Sequence, residues 1–298
     1  MSGNFLEQMA RASRERVAHA RSLCSEQSLI DQTRSMPPAP ALSLSALGFD
    51  LIAEHKRRSP SMGVLDARGA LDAAGADIGS ADIGGRVLRL AEAGAAAVSI
   101  LTEPSRFDGA LEHLQQAAQV LAGRAPVMRK DFLVDPYQVY EARAAGAGGV
   151  LVILRMLSSA QQRALIETCA QLGLFALLEA FDEADLARAA ELVDAYMRGR
   201  GGGDSSSVLL VGVNCRDLGT LEVVPGRLEV LATRLPAGVP HVAESGVRGG
   251  EDAARLVRAG YDVALVGGAL MQSTNPDGLA RSMLAAGRAA AGARRACG

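Results

Sequence analysis

Residues Gly149–Glu179 read GVLVILRMLSSAQQRALIETCAQLGLFALLE. The stretch opens with Gly149–Ile153 (GVLVI), a β-branched and Leu-rich run with no polar alternation. A short loop leads into a helix-length segment, Ser159–Leu172, which Gly173 closes, as Gly commonly ends a helix. A second run of the same kind, Leu174–Glu179 (LFALLE), follows at once. Strands that lack alternation are buried on both faces, which is the condition of a parallel sheet covered by helices.

The same unit recurs on either side. Upstream runs are Asp50–Glu54 (DLIAE), Ala96–Leu101 (AAVSIL) and Pro126–Lys130 (PVMRK). Downstream runs are Val208–Asn214 (VLLVGVN), Pro240–Glu244 (PHVAE) and Val263–Gly267 (VALVG). Helix-length segments separate them, including Ala110–Leu121, Tyr137–Ala145, Glu183–Tyr196, Glu251–Ala259 and Gly278–Ala290. Eight β-then-α units predict a single (β/α)8 barrel of the α/β class rather than an open doubly wound sheet, which usually has fewer strands. We place the barrel at residues 47–298. Residues 1–46 read as an N-terminal helical extension and linker: Phe5, Met9, Val17 and Ala20 share a helix face, and Pro37, Pro38 and Pro40 end it. Two tracts do not fit the repeat, the near-duplication ADIGS–ADIGG at 76–85 and the Gly- and Ser-rich 197–207. Both are expected in peripheral loops.

Composition narrows the function. The chain has 298 residues, 49% hydrophobic and 21% charged, with a formal charge of -2, so nothing favours nucleic acid or an anionic membrane surface. Four scattered cysteines without a C-x-x-C pair, and no signal-peptide or membrane-length apolar run, suggest reduced thiols in a cytoplasmic protein. A monomer or weak homodimer is expected.

Of 31 basic residues only Lys56 and Lys130 are lysines. A bias that replaces Lys by Arg wherever charge alone suffices leaves the survivors as candidates for chemistry that needs a compact, deprotonatable ammonium. Their positions sharpen the point. Polar residues at the C-terminal ends of barrel strands face the catalytic mouth. Glu54 and Lys56 lie at the end of the first run, Lys130 of the third, Glu179 of the fifth, Asn214 and Arg216 of the sixth, and Glu244 and Ser245 of the seventh. Taken singly, Glu179 could pair with an arginine and Asn214 could cap a loop. Three carboxylates, two ammoniums and a guanidinium at one mouth instead suit acid–base chemistry on an anionic substrate.

Glu244-Ser245-Gly246 follows the seventh run and Val266-Gly267-Gly268 the eighth. Barrels often bind phosphate with these two loops, where Gly lets backbone N–H groups approach the oxygens. The four histidines, His19, His55, His113 and His241, lack metal-ligand spacing and read as packing or surface residues. No dinucleotide fingerprint follows the first run, so neither a metal nor a redox cofactor is expected.

Together these motifs resemble a known family. Ile52-Ala-Glu-His-Lys-Arg-Arg-Ser-Pro-Ser61 closely resembles the IAE-x-K-R-x-SPS signature of the indole-3-glycerol-phosphate synthases of tryptophan biosynthesis. The resemblance continues through Ser99–Thr102, Phe107–Gly109, Pro126–Phe132, Tyr137-Gln138, Glu141–Arg143, Gly212–Leu218, Glu244–Gly246 and Gly267. It implies a cofactor-free ring closure of 1-(2-carboxyphenylamino)-1-deoxyribulose 5-phosphate. It also implies Lys130 as general acid, Glu179 as base, Glu54 assisting dehydration, Lys56 pairing with Glu54 or substrate anions, and Asn214 beside them. Arg216, Asn214 and Ser59 would surround the carboxylate and sugar hydroxyls, with Glu244 nearby, and Phe107 and Phe132 would wall the aryl ring. Ser245, Gly246, Gly267 and Gly268 would take the phosphate. Two departures stand out: Glu179-Ala-Phe181 where the family commonly has Glu-Val-His, and Asn214-Cys215-Arg216 where Asn-Asn-Arg is usual. Competing readings are another phosphate-binding barrel enzyme, such as a sugar-phosphate isomerase or a secondary-metabolism relative, and a non-catalytic barrel that binds phosphometabolites.

Overall fold

The computed structural model describes residues 5–60, 63–64, 83–199, 208–218 and 220–297. Eight parallel strands close into a barrel: β1 (Asp50–His55), β2 (Ala97–Leu101), β3 (Val127–Lys130), β4 (Gly149–Ile153), β5 (Phe175–Ala180), β6 (Leu209–Asn214), β7 (His241–Glu244) and β8 (Val263–Val266). Each pairs with its sequence neighbour, and β1 also pairs with β8, Asp50 opposite Val263 and Ala53 opposite Val266. The eight runs read from sequence are these eight strands, shifted by no more than a residue or so at their ends.

Both faces of the strands are buried, for two different reasons. Ile52, Met128, Leu151, Leu177, Leu210, Val242 and Leu265 pack together inside the barrel. The alternate residues, among them Ala53, Val98, Val150, Leu178, Val211 and Ala264, pack against the helical layer. Size is matched across the floor, where the Phe175 ring fills the space beside Gly149, its register partner on β4. Truncating Phe175 to Ala would open a cavity costing about 3–5 kcal/mol.

Around the barrel lie α3 (Ile83–Glu92), α4 (Pro104–Phe107), α5 (Leu111–Val120), α6 (Tyr137–Ala144), α7 (Ser159–Leu172), α8 (Glu183–Gly199), α9 (Arg227–Ala232), α10 (Gly250–Ala259), α11 (Gly268–Gln272) and α12 (Pro276–Cys297). Helix α7 shows why the deciding stretch folds as it reads. Ser158 and Gln161 form a reciprocal capping box at its start, and Gly173 ends it at φ 69°, a left-handed conformation that costs Gly little. The N-terminal extension is helical, as expected, and divides into two helices, α1 (Phe5–Leu23) and α2 (Glu26–Arg34). The break comes at Ser25, whose hydroxyl accepts from Ser28 N–H and starts the second helix. Of the two irregular tracts, residues 76–82 and 200–207 lie outside the described residues, while Ile83–Gly85 begin α3 and Met197–Gly199 end α8. No described helix is long and apolar enough to cross a membrane. Cys24, Cys169 and Cys215 are unpaired thiols.

Candidate active site

At the C-terminal ends of the strands the barrel opens into a cavity of about 590 Å³, and all fourteen residues singled out from sequence line it. The inward parity of the strands explains the gathering. On four strands an inward apolar residue is followed two positions later by an inward charged one: Ile52 by Glu54, Met128 by Lys130, Leu177 by Glu179, Val242 by Glu244. The floor is therefore apolar and the rim ionic.

Lys130 stands at the centre. Its Nζ donates to Glu244 Oε2 at 3.2 Å and lies 3.6 Å from Glu179 Oε1. Burial alone would pull its pKa down, but Glu179, Glu244 and Glu54 outweigh that and raise it above the ordinary lysine value. Glu244 is driven up to about 8, first by burial and then by the charge of Glu179, with Lys130 opposing. Such a pair titrates jointly. Asn214 fixes Glu179 by donating from Nδ2 to Oε1 at 2.7 Å. Its own carbonyl accepts from Ser245 Oγ at 2.8 Å and from the Arg216 backbone N–H at 2.9 Å. The Arg216 guanidinium is anchored on the Leu221 carbonyl at 2.6 Å.

A second ion pair lies beside the first, with Lys56 Nζ 2.5 Å from Glu54 Oε1. Burial works against Glu54's charge, yet Lys56, Lys130 and Arg216 hold its pKa below the usual carboxylate range. Gly267 makes room for it, since any Cβ there would collide with Glu54 Oε1. Ser245 and Gly246 both take positive φ, 68° and 75°, turning the loop after β7 sharply at the rim.

Reading the sequence missed one wall. Phe5, at the start of α1, reaches the cavity and packs edge-on against Phe132, ring centroids 5.8 Å apart; Phe107 lies 6.2 Å from Phe132 on the other side. The apolar face of α1 was legible, but not that it covers the barrel mouth. The resemblance motif Arg129-Lys130-Asp131-Phe132 likewise divides by parity. Lys130 points in, while Arg129 and Asp131 pair at 3.2 Å beside Thr102. Phe181, where a histidine is usual, lies beneath the Arg155 guanidinium at 4.5 Å and is buried. Cys215 is buried against Gly246, its Sγ 3.1 Å from where a Cβ on that glycine would stand. Neither departure displaces a rim residue. Of the Ser59-Pro60-Ser61 segment, Ser61 lies outside the described residues. His241 bonds the carbonyls of Pro236 and Gly260, and His55, the last residue of β1, is buried.

Comparisons with known proteins point to one family. The family model for indole-3-glycerol phosphate synthase matches residues 6–283. A protein of that name from Parafrankia sp. is 41% identical over 251 residues, covering 84% of this chain and 83% of its own. One from Mycolicibacterium smegmatis is 35% identical over 289 residues, 96% of each chain. Among solved structures, 3-hexulose-6-phosphate synthase from Salmonella typhimurium superposes with a TM-score of 0.56 at 14% identity, covering 80% of this chain and 98% of that one. That likeness concerns the fold alone.

Proposed function

The chain belongs to the indole-3-glycerol phosphate synthase family, and from that premise we propose how its cavity divides the labour of the family's carboxy-lyase reaction. The substrate is a phosphorylated small molecule, which we take to be 1-(2-carboxyphenylamino)-1-deoxyribulose 5-phosphate. The ring carbon that bears the carboxylate attacks the ketone carbon. As that bond forms, the carbonyl oxygen gains negative charge and needs a proton. Lys130 supplies it: its buried ammonium, held protonated among carboxylates, is the observation that carries the reading. The bond to CO2 then breaks and returns its electron pair to the ring. The new hydroxyl takes a proton from the Glu54–Lys56 pair, whose ammonium carries it, and leaves as water while the anilino nitrogen's electrons push in and a base removes a proton from the carbon beside that nitrogen. Glu179, held by Asn214, is that base, and Glu54 with Lys56 assists the departure of water.

Phe107 and Phe132, joined by Phe5, would hold the aryl ring. Arg216 and Ser59 would meet the carboxylate and sugar hydroxyls, with Glu244 nearby. The loops at Ser245-Gly246 and Gly267-Gly268 would take the phosphate through backbone N–H groups. The steps require only proton transfers and positioned charge, so no cofactor enters the proposal. We further propose a monomer or weak homodimer acting in the cytoplasm, without nucleic-acid or membrane partners. Purified protein supplied with the substrate should produce indole fluorescence, which stands out because the chain contains no tryptophan. Folded protein that yields no indole product would overturn this reading. An isomerase would share the glycine loops and also use an acid and a base, but it gives no reason for the aromatic wall; a non-catalytic binder gives no reason for the acid and the base.

A further inference from the structure

One cation on the catalytic face has no part in the proposed chemistry. Arg16 lies on α1 with its side chain 28% exposed, and its guanidinium reaches two fully buried carboxylates from different barrel loops. Nη2 is 2.7 Å from Asp131 Oδ1, and Nη1 is 3.5 Å from Glu103 Oε1.

Each carboxylate controls one aromatic wall. Glu103 is the N-cap of α4, accepting from the backbone N–H groups of Ser105 at 2.9 Å and Arg106 at 2.7 Å, and Phe107 is the last residue of that helix. Asp131 accepts from Phe132 N–H at 2.8 Å through the same oxygen that meets Arg16. The third ring, Phe5, stands on Arg16's own helix. A single guanidinium therefore joins the three elements that carry the three rings, and its planar fork suits two acceptors at once.

Neither the fold nor the seating of α1 depends on this contact alone. Without Arg16, Asp131 keeps Arg129 and Thr102, and Glu103 keeps its capping N–H groups. Helix α1 is separately tied to the barrel by Gln138 to Ser13 and by Arg21 to Asp135, and the junction after it by Tyr137 to the Cys24 carbonyl. Arg16 contacts both carboxylates from the helix that carries Phe5, which ties the three rings to one another directly.

We infer that Arg16 is a positioning residue that fixes the spacing of Phe5, Phe107 and Phe132, and thereby the affinity of the cavity for the substrate's aryl ring. This rests on the reading of that wall given above. The test compares wild type with Arg16→Met, Arg16→Lys and a control, Arg11→Met, which removes an exposed charge from the same helix. Arg16→Met should raise KM about tenfold while kcat changes less than about threefold, the signature of lost ground-state binding. Inhibition by inorganic phosphate should keep its constant, because the phosphate loops are not touched. Arg16→Lys should recover part of the loss, and Arg11→Met should behave as wild type. An unchanged KM in Arg16→Met, or a KM and a phosphate constant that shift together, would overturn the inference. Should Arg16→Met fail to fold, Arg16→Lys decides: a KM raised a few-fold supports the clamp and an unchanged KM refutes it. If wild type itself makes no indole product, the proposed function fails on its own account. The clamp then stands or falls on binding of anthranilate followed by its fluorescence, which Arg16→Met should weaken.

Discussion

Gly212 on β6 leaves the space into which the Glu244 carboxylate on β7 leans; a Cβ on Gly212 would collide with Glu244 Oε1. The contact that sets Glu244 beside Lys130 thus depends on a missing side chain two residues before Asn214. In Gly212→Ala the atom that must yield is the end of a flexible side chain, so the protein should fold. Leu177 Cδ1, 3.0 Å from the new methyl, would also be crowded. We expect a stability loss of about 1–3 kcal/mol and a fall in kcat/KM of about tenfold or more. Thermal melts and steady-state kinetics check this, and unaltered kcat/KM would show that Glu244's placement does not matter.

Lys130→Arg tests the acid directly. A guanidinium keeps the positive charge between Glu179 and Glu244, so the melting temperature should stay near wild type. It gives up a proton poorly, so kcat should drop about 10²–10⁴-fold. Lys130→Met removes the charge as well and leaves two buried carboxyl groups facing each other, so it should lose stability in addition. Near-normal turnover in the arginine variant would remove Lys130 from the role.

How far these residues could be read from sequence follows from which interactions are local. Eight buried strands announce themselves because a strand covered on both faces has no reason for polar alternation. Their inward parity then carries Glu54, Lys130, Glu179 and Glu244 to one rim. The placement of α1 was not legible, because an amphipathic helix records that one face is buried and not what buries it. Phe5 meets Phe132 across more than a hundred residues, and nothing near either one encodes the encounter. A local signal was overlooked at Glu103-Pro104, where an acceptor before a proline at the first helical position marks a helix start, here α4. The making of room by Gly212 and Gly267 was equally hidden, since it depends on side chains from neighbouring strands.

Asn214 is committed at both ends of its amide, donating to Glu179 and accepting from Ser245 and Arg216. Asn214→Ala should free Glu179 to rotate and lower kcat by about 10²-fold, with KM less affected. Asn214→Asp should be worse, because it sets a second carboxylate against Glu179 where a donor stood. Kinetics of the two variants side by side check the order, and an aspartate variant as active as wild type would contradict it.

Glu244 should leave a signature in the pH dependence of stability. Burial and the charge of Glu179 hold its proton up to about pH 8, whereas a glutamate in an unfolded chain titrates near about 4.3. Between these values the folded protein keeps a proton that the unfolded chain has lost, so this group's contribution falls as pH rises. It is fully present below about 4.3 and gone above about 8. Glu54 has the opposite sign. Burial opposes its charge, but Lys56, Lys130 and Arg216 hold its pKa low, so its contribution is present above the ordinary carboxylate range and is lost as acid drops below it. The two windows do not overlap in direction, which allows Glu244 to be isolated. Glu244→Gln preserves the shape and cannot titrate. Melting temperatures of both proteins from pH 5.5 to 8.5 should show the wild-type value falling steadily relative to the variant, then levelling off above about pH 8. A gap that stays constant across this range would mean that Glu244 does not hold the proton.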